Sequence, residues 1–223
     1  MAEPAPSIEP RIPLSKERVL GAAVELADAH GIEALSMRRL AKELGVEAMS
    51  LYNHVANKDE ILSGIVEIVA SEVEVPSDPL NWKASIRRSA ISAHDAFIRH
   101  RWSCSLMTNT PGVIPSRMRW MEGVLATLRG AGFSPNLTHH AYHALDSHIT
   151  GFTLWQVSFP FDTREELLDL AEEFLKQIPA DEYPYVIEHA HQHLEEPDPN
   201  EPSAFEFGLD LILDGLERKR DAA

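Results

Sequence analysis

The sequence holds a single cysteine, Cys104, among its 223 residues. An internal disulfide is therefore excluded, and a reducing compartment is expected, with Cys104 read as a small buried apolar residue. The opening MAEPAPSIEP has neither a basic start nor an apolar centre, so it does not read as a secretory signal. No apolar run approaches the ~20 residues of a membrane-spanning helix. A cytoplasmic protein with no membrane partner is expected. H-E-x-x-H, a phosphate-binding loop and a Ser-His-Asp ordering are all missing, as are convincing period-two strands and internal repeats. Positive charge is scarce too: 20 Lys and Arg face 35 Asp and Glu, a formal charge of −15.

That scarcity is uneven. Residues 11–58 carry seven Lys/Arg and six Asp/Glu, net +1, while the remainder carries thirteen and twenty-nine, net −16. A segment that an acidic chain spares from acid suits an anionic partner. By itself the bias marks no more than a solvated face.

Caps divide the chain into helices. Ser15 starts one that runs to about residue 29, with Leu14 and Val19 as a hydrophobic staple and Gly31 as the stop. Ser36 starts a second, stapled by Leu35 and Leu40 and stopped by Gly45. A short third helix is expected over about 47–54. Asn57-x-x-Glu60 reads as a capping box for a fourth, which continues towards Pro76. Further helices are expected over about 80–100, 115–130, 135–158, 163–177, 183–194 and 203–219. Thr163-x-x-Glu166 and Ser203-x-x-Glu206 are capping boxes among them. Residues 1–13 read as a Pro-rich arm and 195–203 as an exposed loop. The fold class is all-α.

Met37, Leu40, Ala41 and Leu44 recur at helical spacing and turn Arg38, Arg39 and Lys42 outward. Gly45 then gives the sharp exit of a helix-turn-helix. On the third helix Leu51, Ala48 and Val55 share the buried side, while Met49, Ser50 and Asn53 lie opposite and Tyr52 and His54 occupy the flanks. A helix in a DNA major groove needs this division, with short groups at base edges and donors reaching the phosphate walls. Lys58 adds a cation at the start of the fourth helix. Helix–Gly–helix segments with surface arginines are widespread, so spacing alone leaves DNA binding as one reading among several.

Three motifs narrow it: A-x-x-L-x-x-x-x-G at Ala23–Gly31, R-x-L-A-x-x-L-G-V at Arg38–Val46, and L-Y-x-H-V-x-N-K at Leu51–Lys58. Helix by helix, residues 14–62 resemble the DNA-binding domain of the tetracycline-repressor (TetR) family. The GFTL at 151–154 and FEFGLDLILDGLE at 205–217 extend the resemblance to that family's regulatory domain. The Pro-rich composition of 1–13 reads as a mobile arm, and the resemblance implies a DNA-binding domain at 14–62 and a helical ligand-binding and dimerisation domain at 63–223. It also implies that Arg38 reaches a base edge, that Ser50 sits in the groove, and that Tyr52, His54 and Lys58 hold phosphates. Ala48 and Met49 depart from the tetracycline repressor's glutamine and proline, so a different operator is expected.

The tetracycline pocket does not carry over. Its histidine, asparagine, aromatic, metal-binding histidine and glutamine positions correspond to Glu74, Ser89, Ala93, Met107 and Val124, and only Thr110 is kept. Magnesium–tetracycline is therefore not the expected effector. A more apolar cavity near Trp102, Met107, Trp120 and Trp155 is, although aromatics of this kind more often serve as plain core. The resemblance places the dimer interface on the helices at 135–158 and 203–219, where Phe205, Leu209, Ile212, Leu213 and Leu216 form an apolar stripe. His139 and His143, like His189 and His193, are four apart, but zinc sites normally use four ligands and no cysteine is near. These read as surface or interface histidines, and His191 as packed on an apolar stripe; no metal or other cofactor is expected. The expectation is a homodimeric repressor released from double-stranded operator DNA by a small molecule, not an enzyme. A metal-dependent enzyme using the histidines and a DNA-binding factor without a ligand are the alternatives.

Overall fold

The computed structural model describes residues 13–110, 112–159, 163–195, 198 and 200–222, the His193 side chain excepted. The expected arm at 1–13 thus lies, but for Pro13, outside the described residues, as does part of the 195–203 loop. Among the described residues the fold is all-α, with helices α1 (Lys16–His30), α2 (Met37–Leu44), α3 (Ala48–Leu51), α4 (Lys58–Ser71), α5 (Trp82–Arg99) and α6 (Ser103–Asn109). They are followed by α7 (Pro115–Gly130), α8 (Pro135–Val157), α9 (Arg164–Lys176), α10 (Pro184–Leu194) and α11 (Ala204–Asp221). None of the described helices is long and apolar enough to cross a membrane. The chain divides into two compact units, Met1–Val75 with Asp95–Glu122, and Pro76–His94 with Gly123–Ala223.

In the first unit, side-chain caps set the helix starts. Ser15 Oγ accepts from the Arg18 N–H at 3.2 Å, Ser36 Oγ from Arg39 at 3.3 Å, and Asn57 Oδ1 from Glu60 at 2.8 Å. The Glu60 carboxylate reaches back to the Ala56 N–H at 2.6 Å, one residue beyond the donor a capping box would use, and pairs with Lys16 of α1. Gly45 adopts φ 66°, ψ 34°, a left-handed conformation that costs a side chain about 1–2 kcal/mol. From there the Val46 N–H closes on the Ala41 carbonyl at 3.0 Å. Val19, Leu40, Leu51 and Ile65 are fully buried where α1, α2, α3 and α4 meet.

Two elements differ from expectation. The α3 helix spans four residues rather than eight, because 54→51 and 53→50 backbone bonds tighten Tyr52–His54 into turns before Asn57 goes extended. The α6 helix was not expected. Its N-cap residue, Trp102, makes no side-chain cap bond, and SCSLMTN is poor in helix formers.

In the second unit α8 packs on α11, with Leu145, Ile149, Leu209 and Leu213 buried between them. Phe205 stacks on His94 at 4.0 Å between centroids and on His148 at 4.9 Å. A Cβ on Gly208 would stand 2.6 Å from His148 Cε1, so this glycine permits the stack. Across α5 and α11, Lys83 pairs with Asp214 and Glu217, and Arg87 with Glu206 and Asp210, at 2.6–3.0 Å. The capping boxes of α9 and α11 form as read.

Two further expectations are corrected here. Phe205, Leu209, Leu213 and Leu216 are buried inside the protomer, so they are core and not a free surface. Ile212 stays part-exposed, and Phe207 and Leu211, at 59% and 57% exposure, are the large apolar groups α11 leaves in water. His191 is exposed rather than packed, because α10 packs chiefly on α9, which itself buries no side chain.

Candidate nucleic-acid interface and effector region

The α2–turn–α3 segment sorts its side chains by burial as the helical wheel requires. Leu51 and Val55 turn inward, at 0% and 2% exposure. Opposite them Met49 is 74% exposed, a large cost for an apolar side chain in water, and Asn53 is exposed beside a half-buried Ser50. Tyr52 is 47% exposed on one flank, and His54 is half-buried on the other. Ala48 is half-buried at the start of α3, and Arg38, Arg39 and Lys42 are exposed along α2. Lys58 is the exposed first residue of α4, where backbone N–H groups and the helix dipole favour an anion. The Ala56 N–H and Lys16 hold the Glu60 carboxyl below its ordinary range, so it stays charged and keeps α1 tied to this turn.

The comparisons with known proteins agree with this geometry. Residues 19–65 match the family model "Bacterial regulatory proteins, tetR family", and residues 75–220 match "Tetracyclin repressor-like, C-terminal domain". The chain belongs to the TetR family. It is 35% identical over 221 residues to the HTH-type transcriptional repressor DrrR1 of Streptomyces coeruleorubidus, covering 95% of this chain and 80% of that one. Tetracycline repressor protein class C of Escherichia coli is 30% identical, with 93% of this chain and 92% of that one covered. Among solved structures, Streptomyces coelicolor ActR in complex with actinorhodin superimposes with a TM-score of 0.73 at 32% identity, covering 94% and 99% of the two chains. The TetR match makes the α2–α3 pair a DNA-binding helix-turn-helix and the chain a transcription regulator with a ligand-binding domain.

The residues expected around the TetR effector divide between the two units. Trp102, Met107 and Trp120, in the first, are 7–8% exposed, and Thr110 is half-buried with its hydroxyl donating to the Leu106 carbonyl at 2.7 Å. Pro111, its neighbour, lies outside the described residues. Ser89, Ala93 and Val124, in the second, are buried, whereas Trp155 is 49% exposed. Ser103, directly after Trp102, is fully buried, and its hydroxyl lacks a hydrogen-bond partner. The rings of His139 and His143 pack 4.6 Å apart on an exposed part of α8. Among the described residues no three His, Cys, Asp or Glu side chains gather where a metal ion could be held.

Sequence reasoning missed a polar cluster in the first unit. His100 Nδ1 lies 2.9 and 3.0 Å from the two Asp28 oxygens, and its Nε2 lies 3.2 Å from Glu72 Oε1. The Trp102 indole N–H donates to Asp28 Oδ1 at 2.7 Å, and Arg99 pairs with Glu72 at 2.7 Å. Three separate segments supply these groups, so no local spacing announces them.

Proposed function

We propose that the protein is a homodimeric repressor that holds a palindromic operator through α2 and α3 and releases it when a small molecule binds its regulatory domain. Residues 14–62 form the DNA-binding domain and 63–223 the regulatory and dimerisation domain. Arg38 and Arg39 reach from α2 towards base edge and backbone, and Ala48, Met49, Ser50 and Asn53 face the groove. Tyr52, His54 and Lys58 hold phosphates. The single observation that carries this reading is the division of α3 and its flanks into a buried Leu51/Val55 side and an exposed Met49/Asn53 side with polar groups on either wall.

The effector is a small, largely apolar molecule. The candidate contacts of the first unit are the apolar Trp102, Met107 and Trp120 with the polar Thr110, and the Ser103 hydroxyl there is one buried group in want of a partner; Ser89, Ala93 and Val124 are the candidates of the second unit. ActR, a relative, was solved with actinorhodin bound, which makes actinorhodin a first probe for this chain. Met107 in place of a metal-binding histidine argues against magnesium–tetracycline. A second chain docks on α8 and α11, where Trp155, Phe207, Leu211 and Ile212 remain for it to cover.

The test starts from a duplex selected by the wild-type protein out of a random pool. The log–log slope of affinity against salt should be steep, and Lys58→Ala should lower its magnitude by about one while weakening all sequences alike. Adding actinorhodin as the probe should lower operator affinity. A flat salt dependence, or a Lys58→Ala slope equal to the wild type's, would contradict the assignment.

A further inference from the structure

The cluster around His100 joins three parts of the first unit that are distant in sequence. Asp28 lies in the last turn of α1, Glu72 is the residue that ends α4, and His100 and Trp102 form the corner between α5 and α6. His100 is only 12% exposed in its side chain, and both of its ring nitrogens face carboxylates. Trp102 closes the cluster through its indole N–H on Asp28, with its ring buried. Because α1 packs on both α2 and α4, a displacement of Asp28 displaces the helix against which the DNA-reading pair rests.

We propose that Asp28, Glu72, His100 and Trp102 form a latch through which the α5–α6 corner sets the position of α1 as well as α4. The inference rests on the effector reading above only in naming what moves the latch: a molecule touching Trp102 loosens its hold on Asp28. In the latched state α1 and α4 are fixed at their carboxyl ends to one imidazole, so α2 and α3 keep a single presentation. A second tie to α4, where Glu67 accepts from the Ser116 N–H at 3.0 Å and from its hydroxyl at 2.7 Å, joins it to α7 and not to α1 and serves as an internal control.

Amide hydrogen exchange on the full-length wild type, Trp102→Phe, His100→Gln and Ser116→Ala tests this without an effector. Trp102→Phe keeps an aromatic ring and removes the donor together with some ring volume, whereas His100→Gln leaves the Trp102 ring in place. Both latch variants should speed exchange roughly fivefold at 24–30 and at 68–72 together, the scale of one lost hydrogen bond. Ser116→Ala should leave 24–30 unchanged. On the wild-type-selected duplex the latch variants should bind roughly tenfold more weakly with an unaltered salt slope, since they touch no phosphate-binding residue. Faster exchange confined to 99–110, or a change at 24–30 in Ser116→Ala as large as in the latch variants, would overturn the latch. Failure of the wild type to select any duplex would instead sink the DNA-binding reading, while the exchange pattern still decides on the latch.

Discussion

Met49 carries the most specific residue-level consequence. A thioether that is 74% exposed beside a half-buried Ala48 makes no directional hydrogen bond to a base, but it fits the methyl group of a thymine. Replacing successive thymines of the selected operator by deoxyuridine should therefore weaken wild-type binding several-fold at one pair of symmetric positions. Met49→Ala should be nearly indifferent to the same change, as measured by fluorescence anisotropy. The exposure of Met49 and Asn53 opposite Leu51 and Val55 was legible in the sequence because these positions follow from a helical period and two caps. Asp28, Glu72 and His100 were not legible, because their significance arises only when α1, α4 and the α5–α6 corner converge. The stripe at Phe205–Leu216 shows the opposite failure: periodicity identified a face to be covered, but could not say that the protomer's own α8 covers it.

At the scale of elements, start signals proved more readable than lengths. Ser15, Ser36, Asn57, Thr163 and Ser203 all cap as their spacing implies, since a cap is a local hydrogen bond. The α3 helix came out short and α6 was overlooked because each is decided by packing and not by propensity. The α5–α11 ion pairs give a testable property of this scale. Lys83 holds the Asp214 carboxyl below its ordinary range, while Ser203 and then Arg87 hold Glu206 down; Asp214 and Glu217 raise Lys83. Depressed carboxylates stabilise the fold above their unfolded pKa and lose that contribution as pH falls through the folded value. A raised lysine stabilises below its unfolded pKa and loses that as pH rises through the folded value. A Lys83→Met/Arg87→Met double variant should therefore melt a few degrees below the wild type at about pH 7, and the gap should close towards about pH 3. A gap that persists in acid would show that the two cations act through packing alone.

The whole molecule is acidic, with the residues outside 11–58 carrying net −16, so a duplex is repelled by most of the chain. The proposed recognition by two copies presenting their α3 helices together would make dimerisation a condition for DNA affinity. Phe207→Glu with Leu211→Glu places two charges on exposed α11 positions and should yield folded monomer by sedimentation, with operator binding lost. Removing Leu51 would be a different lesion, costing about 2–5 kcal/mol of stability as a buried Leu→Ala cavity. The most direct measurement compares wild-type affinity for the full selected operator with its affinity for duplexes in which the two half-sites are moved apart by half a helical turn. Recognition by paired α3 helices about 34–36 Å apart predicts two chains per duplex and a loss of at least about a hundredfold on respacing. Equal affinity for the respaced duplex, or one chain bound per site, would contradict it.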